Sequence, residues 1–159
     1  MAVLRYSTRV RFEAAPTRLW NEAIRVEHLD LLTPPWLRFD VRSPLPVTLE
    51  AGTRVDYLMR WHGLPFHWTT EVLECAPPHH FAYRQARGPY RRFFHRHQFL
   101  ADPELPDTTT SAEEIELELF GGTLGRILWP LLRRDFDRLY AFRHPTLGRR
   151  LGVSWEPSP

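Results

Sequence analysis

The run EEIELELF, Glu113 to Phe120, can be buried in only one way as an extended strand. Ile115, Leu117 and Leu119 fall on one side and Glu114, Glu116 and Glu118 on the other, because successive strand side chains point to opposite faces. A neighbouring strand has to match those faces. The nearest upstream candidate is GPYRRFFHRHQF, Gly88 to Phe99, where Phe93, His95, His97 and Phe99 share one side and Arg92, Phe94, Arg96 and Gln98 the other. Pairing the two sets Arg92 and Arg96 across from the glutamate row on solvent, in contacts of roughly 0.2–1 kcal/mol each. Phe93, His95, His97 and Phe99 are thereby predicted to point inward.

The same period of two recurs in VLRYSTRVRF at the start and in WLRFDVR, TRVDYLMRW, FHWTTEVLE and FAYRQAR. Breaks such as SPLP, HGLP, APPHH and RGP carry the Gly and Pro of tight connections, so consecutive strands should form antiparallel hairpins. The loop ADPELPDTTT is longer and reads as mobile. Two stretches change to helical spacing. After Pro16, Leu19, Trp20, Ala23, Ile24 and Leu31 predict one helix or two short ones before TPP. Near the end, Leu128, Leu132, Phe136, Leu139 and Phe142 fall on one side, predicting a short turn at 124–129 and a helix from Pro130 to Arg143. The order is strand, helix, six strands, long helix. Only the terminal helix is large enough to cover the apolar face of such a sheet, which gives an α+β fold with a curved antiparallel sheet of seven strands and a cavity beneath the helix.

A chain of 159 residues with 43% hydrophobic content supports one domain, placed at 1–150, with SWEPSP in a loose tail over 151–159. The basic residues are all Arg, yet 21 of them against 19 acidic residues leave a formal charge of only +2. With the arginines facing carboxylates and the aromatics facing inward, a nucleic-acid partner is not expected. A single cysteine, Cys75, excludes an intramolecular disulfide, and neither a signal peptide nor a membrane-spanning run is evident. The expectation is a cytoplasmic protein without membrane insertion, as a monomer or homodimer.

Candidate functional residues are those that would face the cavity. Tyr57, Trp61 and Tyr83 join Phe93, Phe99 and Leu139 as walls, while Asp135 and Arg143 interrupt the apolar stripe of the last helix. His95 and His97 would orient one polar group of a small, largely hydrophobic or aromatic ligand. A His-x-His pair on a strand also suits a metal, but only as two ligands; His67 and Glu71 could complete a set, yet Trp68, Thr70 and Val72 read as that strand's inward residues. No metal and no cofactor is therefore expected. The alternatives to a binding protein are a cyclase or dehydratase using His95 or His97 as base with Asp135 as its partner, and an interaction module without a small ligand. No nucleophile elbow, phosphate loop or dinucleotide fingerprint is present.

Taken in order, LLTPPWLRF, AGTRVDYLMRWHGLPFHWTTEV, PPHHFAYRQARGPYRRFFHRHQF and RRDFDRLYAFRH resemble the blocks of the SRPBCC superfamily, over nearly the whole chain. The resemblance implies the helix-grip fold of START-like lipid carriers and pollen-allergen-like proteins, with a ligand cavity between sheet and C-terminal helix. Phe93 stands where Trp is common in that family and Ala141 where an acidic residue is. The superfamily spans lipid carriers, hormone receptors, aromatases and cyclases and oxygenase domains, so the resemblance implies a fold and a cavity rather than a reaction.

Overall fold

The computed structural model describes residues 3–121 and 125–158. One antiparallel sheet of eight strands holds them together, in the order β2-β3-β4-β5-β6-β7-β1-β8. In chain order these are β1 (Leu4–Phe12), α1 (Pro16–Ala23), a short 3-10 turn (Val26–His28), β2 (Leu37–Val41), β3 (Arg54–Trp61), β4 (Leu64–Ala76), β5 (His80–Arg87), β6 (Arg92–Ala101), β7 (Thr109–Glu118), a second 3-10 turn (Gly125–Leu128), α2 (Trp129–Leu151) and β8 (Trp155–Pro157).

Strands β2 to β7 follow one another as hairpins, and β1 closes the arrangement by pairing with β7. The β6–β7 register sets Arg92 against Glu118, Phe94 against Glu116 and Arg96 against Glu114. The inward face of that pair is Phe93, His95, His97 and Phe99 against Leu117, Ile115, Glu113 and Ser111. Arg96 nevertheless makes its closest ion pair with Glu74, two strands away, at 3.5 Å. At the β3–β4 turn, His62 and Gly63 both have positive φ, 47° and 85°, the combination that lets two residues reverse a right-twisted strand pair.

Irregularities in the β4–β5 register at Thr69/Thr70 and Val72/Glu74 bend the sheet, since an unpaired extra residue sharpens local twist. The bent sheet wraps α2. Leu132, Leu139, Tyr140, Leu147 and Leu151 supply the buried side of the helix. The core divides in two along α2. One part gathers Tyr57, Trp68, Phe93, Ile115, Leu117 and Leu139; the other packs Val10, Phe12, Leu19, Trp20, Phe99 and Leu147. Phe12, Leu19 and Leu117 are fully enclosed, each worth roughly 1.5–3 kcal/mol over an exposed position.

Two boundaries depart from the sequence reading. The helix continues eight residues past Arg143, through Pro145, to Leu151. Pro145 brings no N–H to the helix ladder, but Leu147 and Leu151 are buried beneath α1, and that packing carries the helix through. Gly152, at φ 65°, then ends it, with the Gly152 and Val153 N–H groups donating to the Arg149 and Gly148 carbonyls. The segment expected as a loose tail forms β8 instead, pairing Trp155, Glu156 and Pro157 with Phe12, Arg11 and Val10. This is the eighth strand, beyond the seven expected. A side chain at Gly148 would meet the Trp155 indole at 2.5 Å, so the bare helix surface there is what seats β8. The 101–110 loop is tied down: Asp102 Oδ1 accepts from the Glu104 and Leu105 N–H groups, and Arg11 lies 3.4 Å from its carboxylate.

Candidate ligand cavity

Between α2 and the concave side of β2–β7 lies a cavity of about 340 Å3. Its walls come from inward positions of each of those strands, because α2 cannot follow the curvature of the sheet along its whole length. All ten residues singled out from the sequence lie on these walls: Tyr57, Trp61, Tyr83, Phe93, His95, His97, Phe99, Asp135, Leu139 and Arg143. Phe99 is also packed edge-on against Trp20 at 5.7 Å, so it serves the second core as much as the cavity. The 101–110 loop contributes nothing to the lining. Among the described lining residues only Arg25, Leu128 and Leu131 are exposed.

One wall carries a closed set of polar groups. His95 and Glu113 are 3% and 5% exposed. His95 Nε2 lies 2.9 Å from Glu113 Oε2, Tyr140 Oη donates to the same oxygen at 2.6 Å, and His97 Nδ1 lies 3.4 Å from it. On the other side of the ring, Tyr83 Oη is 2.6 Å from His95 Nδ1. Burial pushes His95 down to about 3, with neighbouring His97 adding to the shift and Glu113 opposing it. Burial works against the Glu113 carboxylate too, but His97 and the His95 hydrogen bond outweigh it and hold the group well below the usual range. A neutral His95 beside an ionised Glu113 has only one consistent tautomer: Nε2 carries the proton and donates to Glu113, while Nδ1 accepts from Tyr83. Burial, the leading cause for both, raises the hydroxyl pKa values of Tyr83 and Tyr140, so both remain donors at neutral pH.

Asp135 does not meet these histidines. Its Oδ2 accepts from Trp61 Nε1 at 2.8 Å and lies 3.0 Å from His62 Nε2. His62 stacks on Trp36 at 5.0 Å, and the Arg138 guanidinium also lies over the Trp36 ring, at 4.9 Å. Asp135 is thus a latch between the tip of the β3–β4 hairpin and α2, on the wall of the cavity. Arg143 Nε donates to the Leu32 carbonyl at 3.1 Å and its head covers the Tyr140 ring at 5.5 Å, fixing α2 to the segment after α1.

The sequence reading missed Glu113, Tyr140 and His62. Glu113 stands two positions before Ile115 and so belongs to the inward side by the same alternation; the doublet Glu113-Glu114 looks like a polar strand end and hides it. Tyr140 follows Leu139 just off the apolar stripe. His62 sits in a turn, where nothing local signals its reach to Asp135.

No protein-family model and no curated protein matches the chain. Solved structures do. The protein TTHA0849 from Thermus thermophilus aligns with a TM-score of 0.69 at 18% identity, over 94% of this chain and 97% of that one. A START superfamily protein from Mycobacterium smegmatis gives 0.68 at 13% identity, over 93% and 97%. The Zhui aromatase/cyclase from Streptomyces sp. R1128 gives 0.68 at 14% identity, over 93% and 96%. The chain accordingly shares a helix-grip fold with these structures, as its sequence blocks implied. No helix among the described residues is long and apolar enough to cross a membrane.

Proposed function

We propose that the protein binds a small, largely apolar molecule with one polar group, in the cavity between sheet and α2. The observation that carries this reading is the 340 Å3 space itself, apolar over most of its wall and with a buried cluster of polar groups on one side. It falls at the lower end of the roughly 300–1,000 Å3 typical of small-molecule sites. Phe93, Tyr57, Trp61 and Leu139 serve as apolar walls, and His97 with Glu113 and Tyr140 orients the polar group. Leu128 and Leu131, exposed at 55% and 48%, make an apolar doorway that matches such a ligand. In this reading the protein works in the cytoplasm as a single domain, alone or as a homodimer, without nucleic acid.

A cyclase- or dehydratase-type reaction is the second reading, favoured by a buried carboxylate and two imidazoles on one cavity wall. The partner of the imidazoles in that case is Glu113, since Asp135 is held by Trp61 and His62. The test of the binding reading is a pair of mass spectra of the purified protein, native and denaturing. An organic mass present only in the native spectrum, and lost when Leu139→Trp fills the cavity, is the expected result. A bare chain mass that stays bare after incubation with fatty acids, sterols and polycyclic aromatics would defeat it.

A further inference from the structure

His95 and His97 occupy successive inward positions of β6, and Glu113 lies directly across from His97 on β7. That placement brings two imidazoles and a carboxylate to one face of the sheet. One ligand-type atom from each of the three lies within 4.8 Å of the others. We propose that this trio is a binding site for a divalent first-row transition ion, held by His95 Nε2, His97 Nδ1 and Glu113 Oε2.

The spacing fits. Atoms that bind one ion at about 2.1 Å sit about 3.0–3.4 Å from each other in tetrahedral or octahedral arrangements. The separations from Glu113 Oε2 are 2.9 Å to His95 Nε2 and 3.4 Å to His97 Nδ1. Seating an ion draws the two imidazoles toward the shared carboxylate oxygen, from ligand atoms that already lie within 4.8 Å of one another. The ligand types decide its class: two imidazoles and one carboxylate suit the zinc, iron and cobalt group, whereas magnesium and calcium take oxygen ligands. All three ligands come from the sheet side, and on the α2 side the Tyr140 hydroxyl lies 3.3 Å from His95 Nε2.

The surroundings supply what an ion site needs. Tyr83 Oη, 2.6 Å from His95 Nδ1, is the partner that a ligating imidazole uses on its other nitrogen. On binding, the proton on His95 Nε2 relocates to Nδ1, which then donates to Tyr83 Oη; the imidazole stays neutral and the tyrosine turns from donor to acceptor. Tyr140 Oη, 2.6 Å from Glu113 Oε2, fixes the carboxylate from the α2 side. The His97 ring is held by stacking on Phe81 at 4.2 Å. The ion site shares His97 and Glu113 with the polar end proposed for an apolar ligand, whose polar group would then meet the ion, while the apolar walls of the cavity stay free.

The test is a cobalt titration of tag-free protein previously stripped with a chelator, followed by visible ligand-field absorption. The expected result is saturation at one Co2+ per chain, reversed by Zn2+. Tyr83→Phe should weaken Co2+ binding about 10–100-fold, the cost of losing a supporting hydrogen bond, and His97→Gln should weaken it by more. Glu113→Gln should abolish it, but that buried substitution risks the fold, so half-buried His97 carries the test, with a thermal melt confirming that each variant is folded. The surface pair His79 and His80 is the control, and a His79→Ala, His80→Ala variant should bind as the parent does. Absorption no stronger than that of free Co2+, or a spectrum that persists in His97→Gln and disappears in the His79, His80 variant, would overturn the proposal.

Discussion

Asp135→Ala should unlatch the β3–β4 hairpin from α2, at a cost that follows from its contacts. The carboxylate is 6% exposed and takes hydrogen bonds from Trp61 and His62. A hydrogen bond to a charged group contributes about 1.5–3 kcal/mol. The Trp61 bond counts nearly in full, because the indole N–H has no alternative acceptor in an apolar wall; the His62 bond counts for little, because the ring is 41% exposed and turns to water. Removing a buried carboxylate also removes its desolvation cost, which offsets part of the loss. The net destabilisation comes to about 2 kcal/mol, or about 4–8 °C in melting temperature for a chain of this size. Calorimetry of Asp135→Ala, Trp61→Phe and the double variant measures it, with a coupling of about 1–2 kcal/mol expected between the two. Additive effects, or a melting shift below about 1 °C for Asp135→Ala, would show that the latch holds nothing.

All five tyrosines have raised pKa values, chiefly through burial. The folded state keeps those protons longer than the unfolded one, so their contribution is whole below the unfolded value near 10 and is lost as pH rises toward the folded values. Tyrosinate absorbance should stay flat past pH 10 and then rise together with loss of circular dichroism; a gradual rise centred near 10 in folded protein would refute the burial argument. In acid Glu22 is, beside Glu113, one of the contributing groups. Burial raises its pKa, but hydrogen bonds from Arg150 and His28 more than offset that and the net shift is downward, so it stabilises above about pH 4.5 and the contribution fades as pH falls through the folded value. Glu22→Gln should flatten the acid limb of a stability–pH curve, and an unchanged limb would count against the α1–α2 tie. Gly148→Ala should displace Trp155 and weaken β8, seen as lost indole fluorescence shift with little change in melting, because the roughly 1 kcal/mol gained in helix propensity offsets the lost contact. A variant whose Trp155 emission matches the parent would contradict the close packing at that glycine.

Much of the sheet was readable because its two faces differ in chemistry. EEIELELF and YRRFFHRHQF each have one burial pattern, and matching them sets which residues face α2, as the β6–β7 register bears out. The ion pairs were less legible: Arg96 prefers Glu74 because a long side chain on a twisted sheet reaches diagonally, which alternation alone does not encode. Alternation did encode Glu113, but a buried carboxylate beside Glu114 resembles a solvent-facing one until Tyr140 and His95 arrive from elsewhere in the fold. Neither β8 nor the last two turns of α2 had a local signature. Prolines flank or interrupt both segments, and burial against α1, together with the bare surface at Gly148, overrides them.

If the space under α2 admits an apolar guest, a fluorescent probe will distinguish the parent from a protein whose cavity is filled. Leu139 is buried on α2 and lines the cavity, so Leu139→Trp should occupy much of the volume while leaving the sheet and the Asp135 latch intact. Anilinonaphthalene sulfonate should brighten and shift blue with the parent, saturating at one site, and should bind Leu139→Trp at least about tenfold more weakly, a loss of about 1.4 kcal/mol. Equal binding by both proteins would place the probe on the outer surface and rule out an apolar site under α2.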